Sequence, residues 1–157
     1  MRLLPAIAAA ALLLALSGCT QPVVLTPAEN AKDALCAEVV VTLPDTVGGR
    51  TSDLELRETN AQGTAAWGTP TAAILRCGVP VPDPTSTLRC YDAGGIDWLL
   101  DESDLPNLVY TTYGRDPAVE VIVNQDEAAG GAVLIDLANA IGYTEKVGAC
   151  TTIDGSI

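Results

Sequence analysis

Four cysteines, Cys36, Cys77, Cys90 and Cys150, follow a fifth, Cys19, that closes an apolar leader, and no other feature of the 157 residues constrains the fold so strongly. Leu16-Ser17-Gly18-Cys19 stands directly after an unbroken apolar stretch from Leu3 to Ala15, the pattern of a bacterial lipoprotein signal ending in its lipobox. One positive charge, Arg2, precedes the stretch, Pro5 interrupts it, and it is shorter than the roughly 20 residues of a bilayer-spanning helix. It therefore reads as a cleavable signal. Cleavage before Cys19, with a lipid on its sulfur and an acyl group on its new amino terminus, predicts a domain anchored by lipid to the extracytoplasmic face of the cell membrane. The expected organisation is a signal peptide over 1–18, a short lipidated tether over 19–26 and a single domain over 27–157.

Outside the cytoplasm thiols persist as disulfides, so the remaining four cysteines predict two bridges. Three pairings are open to them. Cys77 and Cys90 flank a Pro-rich turn and could face each other across adjacent strands, while Cys36 and Cys150 lie near the two ends of the domain. The expected pairing is Cys77 with Cys90 and Cys36 with Cys150. A four-cysteine zinc site is the alternative, but no C-x-x-C pair is present, and neither a metal nor a cofactor is expected.

Removal of an 18-residue leader from 157 residues leaves 139, the size of one ordinary domain. All 20 acidic residues but only seven of the eight basic ones lie beyond the leader, a net charge of −13. Such a surface excludes nucleic acid as a partner and gives no electrostatic grip on anionic lipid, which leaves the lipid as the membrane contact. Histidine is absent, and with it go Ser-His-Asp and Cys-His catalysis and His-ligated zinc. Phenylalanine is absent too, so Val, Leu, Ile, Ala, two Trp and some of four Tyr must build the core.

Thr26-Pro27-Ala28-Glu29 has the form of a capping box with proline at the first helical position and predicts a helix over 27–40. Leu54–Arg57, Ala72–Val79, Leu88–Tyr91, Ile96–Leu100, Val109–Tyr113 and Val119–Val123 carry strand signals separated by Pro and Gly turns. Val133, Leu134, Leu137, Ala138 and Ile141 form a helical stripe that stops at Gly142. The expected fold is α+β: an antiparallel sheet of about four to five strands, an N-terminal and a C-terminal helix packed on one sheet face, and two disulfides.

Ala66-Trp67-Gly68-Thr69-Pro70, Leu75-Arg76-Cys77-Gly78-Val79, Gly95-Ile96-Asp97-Trp98 and Thr112-Tyr113-Gly114-Arg115, taken together, resemble the actinobacterial envelope family known as domain of unknown function 3515. The similarity runs from about Cys36 to Cys150 and loosens after Asp126 at Ala128-Ala129-Gly130-Gly131. The resemblance implies an extracytoplasmic or lipid-anchored domain and implies no activity.

Candidate site residues each carry a structural alternative. Asp97, Asp101, Glu102 and Asp104 could ligate calcium, but the spacing and central glycine of an EF-hand loop are missing, so a solvated acidic turn is the simpler reading. Trp67, Trp98, Tyr91, Tyr110 and Tyr113 could offer flat faces to a sugar or peptide of the cell wall, or fill a core that lacks Phe. Arg76 and Arg115 could clamp a ligand carboxylate or phosphate, or pair internally with acids such as Asp97 or Asp116. Neither G-x-S-x-G, S-x-x-K nor a glycine-rich phosphate loop is present. The expectation is a non-catalytic envelope module that binds an envelope protein or a cell-wall component through the exposed side of its sheet, with Tyr113, Arg115, Trp67, Trp98 and Asp97 as binding candidates. The alternative is a small carboxylate-based cell-wall glycan hydrolase using Asp97 or Glu120.

Overall fold

The computed structural model describes residues 21–157, so the leader and the predicted lipidation site at Cys19 lie outside the described residues. In chain order the elements are α1 (Ala34–Val41), β1 (Thr46–Val47), β2 (Leu54–Arg57), β3 (Thr64–Trp67), β4 (Ala73–Val79), β5 (Arg89–Ala93), β6 (Ile96–Asp104), β7 (Asn107–Thr112), β8 (Arg115–Asp116), β9 (Ala118–Asn124), α2 (Gly130–Ile141), β10 (Glu145–Lys146) and β11 (Gly155–Ser156). One sheet runs β1-β2-β3-β4-β9-β7-β6-β5-β11, and β8 pairs separately with β10. Eight of the nine strands pair antiparallel, and only β11 joins in parallel. No helix among the described residues is long and apolar enough to cross a membrane.

The expected sheet of four to five strands is thus corrected to a much wider one with two short helices. The strands missed by sequence are the ones without alternation. All four residues of β3 are buried, so Thr64-Ala65-Ala66-Trp67 shows no period of two, and β1, β8, β10 and β11 have two residues each. The N-terminal helix begins at Ala34, not Pro27. Asn30 spends its amide on the Gly78 carbonyl (2.9 Å), and Ala28 and Ala31 are buried with Val79 and Ala118. Docking against β4 therefore displaces the first helical turns, and Asp33 caps the shortened helix by accepting from the Leu35 amide at 2.8 Å.

Pairing register decides which face each strand buries. Leu75 aligns with Val121, Val121 with Tyr110 and Tyr110 with Leu100, so these side chains share the inner face. Cys36 and Val39 of α1 and Val133, Leu134, Leu137 and Ile141 of α2 close over that face in one cluster with Trp67, Leu75, Trp98 and Tyr110. Ala129 offers no side-chain cap to α2. Packing therefore holds the helix, at about 1.5–3 kcal/mol for each large apolar side chain buried. Two glycines admit the chain where its ends cross the sheet. Gly78 (φ +89°) lies against the Asn30 backbone and Gly114 (φ +67°) against the Gly148 backbone, and a Cβ at either would collide with main-chain atoms.

Both bridges form, but in a different pairing. Cys36 is bonded to Cys77 and Cys90 to Cys150. Three strands, β9, β7 and β6, stand between β4 and β5, which puts Cys77 and Cys90 roughly 19 Å apart at about 4.8 Å per strand. Cys77 also faces inward beside Val119, whereas Cys90 lies opposite Leu99 on the outer face. The first bridge therefore ties α1 to β4, and the second ties the C-terminal tail to β5.

Non-reducing peptide mapping should recover Cys36–Cys77 and Cys90–Cys150. With sequence separations of 41 and 60 residues, the chain-entropy model assigns about 4 kcal/mol to each bridge. The double variant Cys36→Ala/Cys77→Ala should lose stability on that order in urea unfolding, and a loss below about 1 kcal/mol would contradict the role given to this bridge.

Candidate functional site: a hydroxyl-lined hollow on the outer sheet face

Beyond β4 the chain enters Pro80-Val81-Pro82-Asp83-Pro84, where the three prolines lack the amides a strand would need. The loop instead closes on itself. Asp83 Oδ1 accepts from the Thr85 amide (2.7 Å) and the Thr85 hydroxyl (2.6 Å), and the Ser86 amide donates to the Asp83 carbonyl (3.0 Å). These bonds stabilise the charged form and lower the Asp83 pKa from the ordinary carboxylate value.

The facing wall is the tail that begins at Cys150. Asp97 Oδ2 accepts from the Cys150 amide (2.8 Å), Asp154 Oδ2 from the Cys90 amide (3.0 Å), and the Asp154 amide donates back to the Cys90 carbonyl (2.7 Å). Between loop and tail, Leu99 and Thr111 of the outer face form a floor. Two hollows result, of about 280 Å³ and 510 Å³, and they share Ser86, Leu88 and Leu99. Tyr113, Thr151 and Thr152 line the smaller one, and Thr85, Thr87 and Thr111 the larger.

The structure separates the binding candidates. Trp67 and Trp98 are fully buried. Trp67 donates from Nε1 to the Pro44 carbonyl (3.2 Å), and Trp98 meets Tyr110 edge to face with centroids 6.5 Å apart and planes at 84°. Trp98 Nε1 is buried without a partner. Both tryptophans are core, not platform. Burial raises the Tyr110 pKa above 10, helped by the Glu102 charge and by Tyr91. Among the described residues Arg115 forms no ion pair with Asp97 or Asp116, and its Nη1 donates to the Thr144 carbonyl (2.9 Å). Arg76 does pair internally, with Glu120 at 3.0 Å. Of the five binding candidates, Tyr113 lines the hollow as a partly exposed side chain, and Asp97 supports its wall.

The acids of β6 do not converge. Asp97 and Asp101 share the outer face with Leu99, Asp101 accepts from the Ser103 amide, and Glu102 is ion-paired with Arg89. Among the described residues, Cys90, Asp97 and Cys150 bring potential metal-ligating atoms together, but both sulfurs are committed to the disulfide. Sequence reasoning missed the two walls of the hollow. Their signals were present as a Pro-x-Pro-x-Pro run beside Thr85-Ser86-Thr87, and as Thr151-Thr152 after Cys150, but only the sheet order brings them together.

A family model described as "Protein of unknown function (DUF3515)" matches residues 2–149, and the chain belongs to that family. No curated protein and no solved structure matches it. The four motifs that carry the likeness have structural work in this chain: Trp67 and Trp98 fill the core, Gly78 and Gly114 admit a crossing backbone, and the Thr112 hydroxyl accepts from the Val119 amide at 2.9 Å.

Trp67→Ala and Trp98→Ala should each lower unfolding free energy by about 3–5 kcal/mol, whereas Tyr113→Ala should cost about 1 kcal/mol. Urea titration followed by circular dichroism measures all three, and a Tyr113 cost equal to that of the tryptophans would place it in the core.

Proposed function

We propose that the protein is a lipid-anchored, non-catalytic binding module of the cell envelope, held on the extracytoplasmic face of the membrane through Cys19, whose partner is an envelope protein or a cell-wall component. The observation that carries the reading is the hollow on the sheet face opposite the two helices, walled by a loop and a tail that hydrogen bonds and a disulfide hold in place. The lipobox-like Leu16-Ser17-Gly18-Cys19 supports the extracytoplasmic placement, as do two disulfides.

Anchoring at Cys19 would also set the orientation of the domain. Arg57 Nη2 donates to the Gln21 carbonyl (3.3 Å), the Val23 amide to the Glu58 carbonyl (2.8 Å) and the Leu25 amide to Asn60 Oδ1 (2.7 Å). Residues 21–25 are thus fixed to the end of β2, and Gln21 is two residues from Cys19, a reach of roughly 7 Å. The β2 side of the sheet faces the bilayer. Five strand spacings separate β2 from β6 beneath the hollow, roughly 24 Å along the sheet. The hollow is therefore presented away from the membrane, where a wall component or a neighbouring protein can reach it.

The carboxylates best placed by sequence for hydrolysis have other duties. Glu120 is paired with Arg76, and an Asp97 oxygen holds the Cys150 amide. Metabolic labelling with a fatty acid should mark the wild-type protein, and Cys19→Ala should abolish both labelling and membrane association. Purified protein should release no soluble fragments from cell-wall glycan. Unchanged labelling in the Cys19 variant would remove the anchor, and wall degradation abolished by Asp97→Asn or Glu120→Gln with the fold intact would make the protein a hydrolase.

A further inference from the structure

We infer that the hollow between the 80–88 loop and the 150–154 tail is a subsite for uncharged carbohydrate, taking a few neutral sugar units of an envelope glycan. The inference rests on the binding-module reading above and names the chemical class of its ligand.

Hydroxyl side chains alternate with apolar ones along the walls. Thr87, Thr111, Thr151, Thr152 and Tyr113 line the two hollows, and none of their hydroxyls bonds to another described residue. Asp83 uses Oδ1 and Asp154 uses Oδ2 within the protein, which leaves one carboxylate oxygen of each as an acceptor. The apolar floor and rim come from Leu88, Leu99, Pro82 and Pro84. A sugar ring has the matching composition, with hydroxyls that donate and accept around its edge and C–H groups on its faces.

Other ligand classes fit less well. No Arg or Lys lines either hollow, so a phosphate or carboxylate ligand would meet Asp83 and Asp154 without a compensating cation. A wholly apolar ligand would cover the free hydroxyls without pairing them. An extended peptide seeking a sheet edge would find β5 occupied, since β11 pairs with Tyr91 and Asp92 and the Ile157 amide donates to the Asp92 carbonyl (3.1 Å). The larger hollow, about 510 Å³, lies within the roughly 300–1,000 Å³ of ligand clefts. Its two walls are the pre-formed features of the outer face, and Tyr113 supplies an aromatic side chain at the junction with the tail.

The test uses the full lipidated protein in micelles of a detergent without a sugar headgroup. It is titrated with neutral tetrasaccharides of glucose, mannose, galactose and arabinose and, for comparison, with a tetragalacturonate and an uncharged tetrapeptide, and binding is read by calorimetry and saturation-transfer NMR. At least one tetrasaccharide should saturate. Thr111→Val, which keeps shape and removes one hydroxyl, should weaken binding by about threefold to tenfold, and Tyr113→Ala by about tenfold or more. Val41→Ser, on the β2 side, should leave affinity unchanged, and circular dichroism checks that each variant is folded. Saturation by none of the four sugars, equal affinity in both groove variants, or preference for an acidic sugar or a peptide would overturn the inference. Fatty-acid labelling of Cys19 separates this failure from that of the anchor: labelled protein that binds no sugar loses only the ligand class, and unlabelled protein that binds sugar through Thr111 and Tyr113 loses only the anchor.

Discussion

The packing of both helices on one face of the sheet is the constraint on which the rest of the molecule depends. Without Phe, the inner face reaches adequate volume only by combining Trp67 and Trp98 with the Leu75, Val121 and Tyr110 rows and by drawing Leu134, Leu137 and Ile141 of α2 over them. Both helices are spent on that face. The outer face is left to half-buried side chains such as Ile74, Ile122 and Val109, crossed by the Arg76–Glu120 pair. Most of the large buried side chains lie on the other side of the sheet, which leaves part of this face open.

The two disulfides act at the places where that arrangement is weakest. The polypeptide before α1 lies against β4 through small residues, Ala28, Ala31 and Gly78, and the Cys36–Cys77 bridge secures it. The tail after Gly148 touches the sheet through Gly114, a two-residue strand and a few amide–carboxylate bonds, and Cys90–Cys150 secures that. The second bridge also fixes one wall of the hollow, which in the proposed reading would pre-organise it for a ligand.

What was legible in the sequence follows from how local each signal is. Val119–Val123 alternates because one of its faces is the core, and the Val133–Ile141 stripe repeats at helical spacing because one side of α2 is buried, so both elements were readable. β3 was hidden because all four of its residues are buried, and the start of α1 because tertiary docking of Asn30 onto Gly78 overrides the capping signal at Thr26. Cysteine pairing failed for a topological reason. Sequence proximity of Cys77 and Cys90 suggested neighbouring strands, but β9 and β7 return between them, a nonlocal pairing that no periodicity announces. Of the residues singled out together in the sequence, Tyr113 lines the hollow, Arg115 donates to the Thr144 carbonyl, and Trp67 and Trp98 lie in the core, a division that depends on register and not on residue type.

The sheet has a polarity: residues 21–25 lie at β2, where the lipid would hold them, and the hollow opens near β6 and β5. Val41, on the entry side, lines a shallow hollow with Thr59 and Ala61, next to the Val23–Thr59 bridge, and Thr87 stands exposed on the loop at the far side. The most direct measurement is energy transfer from a fluorophore at Val41→Cys or Thr87→Cys to headgroup-labelled acceptors in liposomes carrying the lipidated protein. The account predicts that position 87 lies farther from the bilayer surface than position 41 by roughly 20 Å, the width of the intervening strands. Equal distances, or position 87 nearer the bilayer, would contradict it.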